Sequence, residues 1–159
     1  MTGVAVEADF SVAARALGRL TDEQLALLAY EIGALVEDQT KLRIADEKRA
    51  PDGTPWVPWS EAYDNTRNHA KHSLLVGEGN PGLLESIQNY TTGLQAVVGT
   101  PLIYGAIHQF GGPEGARDPD LPDGAAGSGI PARPYLGLST DNRTAIEDLV
   151  IGRLEDLLQ

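Results

Sequence analysis

Two prolines three residues apart, in Ile130-Pro131-Ala132-Arg133-Pro134-Tyr135-Leu136, constrain this chain more than any other feature. Each removes a backbone donor and pushes the residue before it into an extended conformation. The segment therefore suits the edge of a sheet and is excluded from its middle. Arg133 stands between the prolines, on backbone stiff enough to aim a planar guanidinium. It is expected to be structural, holding acidic residues of a long helix or of an adjacent subunit. Upstream, Tyr104, Ile107 and Phe110 recur every three residues, so one helical or 3₁₀ turn presses them onto a single apolar surface before Gly111-Gly112 ends it. His108 is expected to be a structural histidine whose ring is satisfied by a backbone carbonyl, rather than a general base. Between the two segments, residues 113–129 are rich in Gly, Pro, Asp and Ala, with Leu121 as the sole large apolar side chain. Such a loop cannot offset its own ordering entropy, so it is expected to be flexible and to order against a neighbour.

The rest of the chain supplies the frame. Val4, Val6, Ala8 and Phe10 alternate with polar or small residues, as in a short edge strand. Residues 11–20 read as a short helix or the lead-in to one. Thr21 with Gln24 three places on is a capping box, opening a long helix whose core stripe is Leu25, Leu28, Ile32, Leu35 and Leu42, interrupted by Gln39. Residues 38–49 are dense in charge and read as a solvated helix end, stopped by Pro51-Asp52-Gly53. Trp56 and Trp59, each beside a proline, are either a satellite core or an exposed docking patch, and burial of large rings favours the core. Residues 86–90 and 94–99 read as a β-hairpin across Thr91-Thr92-Gly93. Ser139 or Thr140 caps a final helix carrying Ile146, Leu149, Val150, Arg153 and Leu157 on the face laid against the sheet. The order gives one domain over residues 1–159, of α+β class: a small, mainly antiparallel sheet packed by a long helix in the N-terminal half and a C-terminal helix.

Several function classes are disfavoured. A chain of 159 residues buries roughly 70% of its unfolded surface, so it needs no staples, and the absence of Cys removes disulfide and thiolate chemistry. No apolar run approaches a membrane span and no leader pattern opens the chain, so a soluble, unprocessed protein is expected. The net charge of −11 repels phosphate backbones and anionic membranes. His69 and His72 lack both a Glu partner and a third ligand and read as surface histidines, so no metal is expected. The literal Gly-x-Gly-x-x-Gly at residues 77–82 reads as a turn, because Glu78 would meet a pyrophosphate and Pro81 has no N–H to donate. Neither a nucleophile elbow nor a phosphate loop is present. No catalytic residue and no cofactor are expected.

Tyr-x-x-x-His-x-Phe-Gly-Gly, a variable loop and Ile-Pro-Ala-Arg-Pro-Tyr-Leu-Gly-Leu-Ser before a last helix resemble the bacteriophage virion morphogenesis family. That family includes tail-completion and head–tail joining proteins of Mu-like and P2-like phages. Residues 51–60 resemble its Gly-x-x-Trp-x-Pro segment and residues 83–87 its Gly-x-Leu-x-x-Ser-Ile segment, in the same order, with a longer turn at residues 76–82. The resemblance implies a non-enzymatic virion protein, made and assembled in the host bacterial cytoplasm and acting at the neck or in tail completion. It also implies a homo-oligomeric ring, with a hexamer as the expected size, contacting neck, tail or connector proteins while DNA passes without specific binding. The structural and interface candidates are Tyr104, His108, Phe110, Arg133, Tyr135, Trp56 and Trp59. Two rivals are a morphogenesis factor absent from the mature particle and a hydrolase using His69, His72 and His108.

Overall fold

The computed structural model describes residues 4–9, 18, 20–112 and 129–158. Strand β1 (Ala5–Asp9) precedes helix α1 (Asp22–Leu42), which runs into a single π-helical turn, Arg43–Glu47. Helical turns α2 (Glu61–Asp64) and α3 (Leu83–Ser86) lead to strands β2 (Gln88–Asn89) and β3 (Gln95–Gly99), and helices α4 (Gly105–Phe110) and α5 (Thr140–Leu158) close the order. The class is α+β, as expected. The helix expected over residues 11–20 and the loop at residues 113–129 lie outside the described residues, apart from Gly18, Leu20 and Gly129.

The predicted capping box starts α1. The Thr21 hydroxyl accepts the Gln24 N–H at 3.2 Å and the Gln24 side chain accepts the Thr21 N–H at 2.9 Å, satisfying two backbone donors reciprocally. The inward line of α1 is Leu25, Ala29, Ile32, Val36 and Thr40: Leu25 and Ile32 lie on it as expected, and Ala29, Val36 and Thr40 complete it instead of Leu28, Leu35 and Leu42. Leu28 and Leu35 flank it half-buried, and Leu42 is 50% exposed. Small residues decide the line. A Cβ on Gly33 would collide with the side chains of Asn89 and Thr91, so the hairpin can approach only over this face. Asn89 seals the approach, donating its side-chain amide to Tyr30 O at 3.0 Å and its N–H to the Glu37 carboxylate at 2.7 Å.

The π turn adds one residue and swings Arg43 and Ile44 inward, which corrects the reading of residues 38–49 as a solvated end. Arg43 is 1% exposed. Its Nη1 donates to Tyr135 O at 2.9 Å and Gly137 O at 3.0 Å, and its Nη2 to Asn142 Oδ1. Burial lowers its pKa, and Glu47 opposes the shift. Lys48, left-handed at φ 54°, ends the turn and donates Nζ to Ile44 O, Ser73 Oγ and Leu74 O. What looked like surface charge therefore ties α1 to two loops.

β3 is the central strand, antiparallel to β1 (Val6 opposite Val98) and to β2 (Asn89 opposite Val98). β1 is an edge, as expected, and the hairpin forms, but its first strand is only two residues long because the residues before it coil into α3. Ser86 Oγ donates to Leu83 O at 2.7 Å and therefore accepts the Thr100 hydroxyl proton at 2.7 Å. Ala96 and Val98 of β3 meet Ile32, Val36, Leu83, Ile87 and Ile146 in one apolar core. Ser139 caps α5, its hydroxyl accepting the Asn142 N–H at 3.1 Å. α5 lies mainly on α1 and reaches the sheet side of the core through Ile146. Arg153, expected on the packed face, is exposed and grips Glu31 through Nε at 2.7 Å.

Candidate functional site: a braced platform and its apolar face

Residues 130–136 form no strand, which corrects the expected edge strand. The prolines deny the segment a ladder, and seven of its backbone polar groups are instead paired one at a time with other elements. The Gln109 side-chain carbonyl accepts the Tyr135 and Leu136 N–H groups, each at 3.0 Å, and its amide donates to Leu136 O at 3.1 Å. The Arg133 N–H donates to His108 O at 2.8 Å, the Gly112 N–H to Ile130 O at 2.8 Å, and Trp56 Nε1 to Pro134 O at 2.9 Å. Gly111, at φ 83°, turns the chain where a Cβ would press on Ala132 N at 3.1 Å.

Arg133 is 5% exposed and acts within this assembly. Its Nε donates to Val57 O at 2.8 Å and its Nη2 to Pro58 O at 3.2 Å. Its partners are carbonyls of the Trp loop, where acidic residues of the long helix or of an adjacent subunit were expected. The Trp loop and the proline segment thus clasp each other twice, Trp56 to residue 134 and Arg133 to residues 57 and 58. Tyr135 is fully buried and donates its hydroxyl to Gly105 O at 3.0 Å. Burial, with a smaller contribution from Tyr104, pushes that hydroxyl pKa well above its ordinary value.

The two tryptophans part company. Trp56 is core at 5% exposed, whereas Trp59 is half-buried, edge-on to Tyr63 with ring centroids 5.6 Å apart. His108 stands edge-on to Tyr104 at 5.9 Å. Its Nδ1 is buried with no hydrogen-bond partner among the described residues, so the expected carbonyl is not there. Burial, then the Arg133 charge, lowers its pKa.

What the platform presents outward is apolar. Phe110 is 72% exposed and Ile103 76%, with Tyr104 and Ile107 between them in the chain each about two-fifths exposed; Ile130, as exposed as these two, is brought near Ile107 across Gly112. The period-three reading of Tyr104, Ile107 and Phe110 located this helix, but all three residues face solvent. Exposed large apolar side chains grouped on rigid backbone mark a protein-interaction surface. Sequence reasoning missed the residues beneath it, Gln109 and Arg43. The available signal was the proline segment itself, since a stretch that cannot pair as a strand requires long polar side chains from its neighbours.

The structure does not assemble the three histidines. His69 pairs with Asp64 at 3.5 Å, His72 with Glu78 at 3.3 Å, and His108 belongs to α4. Among the described residues no three His, Asp or Glu side chains converge as a metal site requires, and no helix is long and apolar enough to cross a membrane. Residues 77–82 form a turn leading into α3, in keeping with the turn reading of its glycines.

Comparison with known proteins gives the platform a context. The chain is 33% identical over 152 residues to the putative capsid assembly protein G of Escherichia phage Mu, covering 86% of this chain and 90% of that one. It is 29% identical over 116 residues to the Mu-like prophage FluMu G protein 1 of Haemophilus influenzae, covering 72% of this chain and 69% of that one. No solved structure matches. The profile of the phage virion morphogenesis family matches residues 8–155, nearly the whole chain, and the chain belongs to that family.

Proposed function

We propose that this protein is a non-enzymatic assembly component acting at the head–tail connection or in tail completion, as a homo-oligomeric ring around the DNA path. Membership of a virion morphogenesis family makes its role one in phage assembly, which entails contact with other phage proteins. The observation that carries the docking part of the reading is the exposed face of Ile103, Tyr104, Ile107, Phe110 and Ile130 on a platform braced from three sides. A flexible surface would lose ordering entropy at every contact, whereas this one is already fixed when a partner arrives. The charge of −11 supports a wall past which DNA slides without sticking.

Native mass spectrometry of the purified chain, with antibody labelling of intact particles, tests both halves of the proposal. A defined multimer located at the neck or tail end is the expected result. A chain that stays single at assembly concentrations, or that is absent from mature particles, refutes the ring or the resident role respectively. Ile107→Asp/Phe110→Asp should fold normally yet fail to complete virions, and full assembly by that variant removes the apolar face from the proposal.

A further inference from the structure

We propose that Trp59, Tyr63 and Arg67 form a carboxylate receptor, and that its occupant is the acidic outer face of α5 on a second copy of this chain. The inference rests on the self-association proposed above and names the surfaces that carry it. The Arg67 guanidinium lies 4.1 Å from the centroid of the Tyr63 ring, and Tyr63 is steadied edge-on by Trp59. His69 stands 6.1 Å from Trp59 on the same cluster. Stacking on an aromatic face fixes the plane of a guanidinium and leaves its N–H edge free to take a carboxylate bidentately.

That edge lacks a partner. Among the described residues the Arg67 guanidinium makes no hydrogen bond or ion pair, and its Nε is shielded from solvent. Nε itself is out of reach of an incoming group, so the edge open to a carboxylate is that of Nη1 and Nη2, which are neither shielded nor partnered among the described residues. The surroundings favour an anion too. Residues 65–77 hold Arg67, His69, Lys71 and His72 without one Asp or Glu; the bounding acids Asp64 and Glu78 lie against His69 and His72, and neither carboxylate meets the Arg67 or Lys71 side chain among the described residues.

The complementary surface is on α5. Glu147, Asp148 and Glu155 are exposed and make no ion pair among the described residues, unlike Asp156, which meets Arg153 at 3.8 Å. Copies carrying −11 each repel one another, so association needs a local contact of opposite sign to set approach and register. Receptor and helix are different surfaces of one chain. Contact between them is therefore heterologous, the kind that closes rings.

Two charge-reversed chains test this. Arg67→Glu/Lys71→Glu makes the receptor acidic, and Glu147→Lys/Asp148→Lys/Glu155→Lys makes α5 basic. Each alone should lose the multimer in native mass spectrometry, because its two surfaces then carry like charge. An equimolar mixture should regain it with the two chains in equal number, and raising the salt should dissolve the parent multimer. If Arg67→Glu does not fold, Arg67→Gln with Lys71→Glu replaces it. A parent that assembles while both variants assemble equally well, singly, overturns this inference and leaves the proposed ring standing. A parent that never assembles overturns both. A receptor variant that multimerises normally but fails to enter particles also overturns it, since the occupant is then a different acidic phage protein.

Discussion

Gln109→Leu removes the three hydrogen bonds that hold residues 135 and 136 to α4 while keeping most of the side-chain volume. The substitution leaves the Tyr135 and Leu136 N–H groups and the Leu136 carbonyl without partners. An orphaned buried polar group costs about 1–3 kcal/mol, and the lower end applies to these part-buried bonds, giving about 3 kcal/mol in total. For a domain of this length about 3 kcal/mol corresponds to a fall in Tm of roughly 6–12 °C. Urea unfolding of parent and variant measures the free energy, with the slope m unchanged because both unfold from the same compact state. Amide exchange supplies the local test. The Tyr135 and Leu136 amides should lose protection by far more than those of β3, whose ladder the substitution does not touch. A loss under about 1 kcal/mol, or unchanged protection at those two amides, would refute the claim that a single side chain stands in for a missing strand.

Other perturbations probe the remaining braces. Arg43→Met orphans the Tyr135 and Gly137 carbonyls and should cost about 3–5 kcal/mol by thermal unfolding; a near-neutral result would mean that the desolvation of Arg43 cancels its bonds. Tyr135→Phe loses the bond to Gly105 O and should cost about 1 kcal/mol in the same assay. Thr21→Ala removes the hydroxyl half of the capping box and should cost about 1 kcal/mol, read as fraying of the first turn of α1. The folded pKa of His108 lies below its ordinary 6.5, so below that pH the unfolded chain takes up the proton first. Its contribution to stability is present in full above pH 6.5 and is lost as pH falls toward the folded pKa. His108→Gln should flatten the stability profile below pH 6.5, and an unchanged profile counts against a buried neutral ring.

Local chemistry made part of this fold legible. The capping box, the hairpin, the terminal strand and the cap of α5 depend on residues within a few places of one another, and each forms where its pattern lies. The inward line of α1 was legible only in part: Leu25 and Ile32 lie on it as the stripe required, but the rest is set by what approaches, since the hairpin needs Gly33 and that requirement leaves Leu28 and Leu35 on the flanks. Arg43 was misread for a related reason. A charge run reads as solvated unless its partners are known, and the partners of Arg43 lie more than 90 residues away at residues 135, 137 and 142.

The candidate site divides along the same boundary. Motif density singled out Trp56, Arg133 and Tyr135; in the structure these three form a brace, and the surface they brace is the plain apolar set around Phe110. A sequence pattern that calls for three apolar residues on one helical face does not say whether that face meets the core or a partner. The deciding fact is volume. Gly105 faces Thr100 and Tyr135 so closely that a Cβ would stand 2.7 Å and 2.9 Å from them, so α4 packs inward through its glycine and has no room for large side chains there. Tyr104, Ile107 and Phe110 are displaced outward by that close packing. An apolar face held out by a glycine contact cannot retreat when unbound, and solvent exposure then favours any partner that covers it.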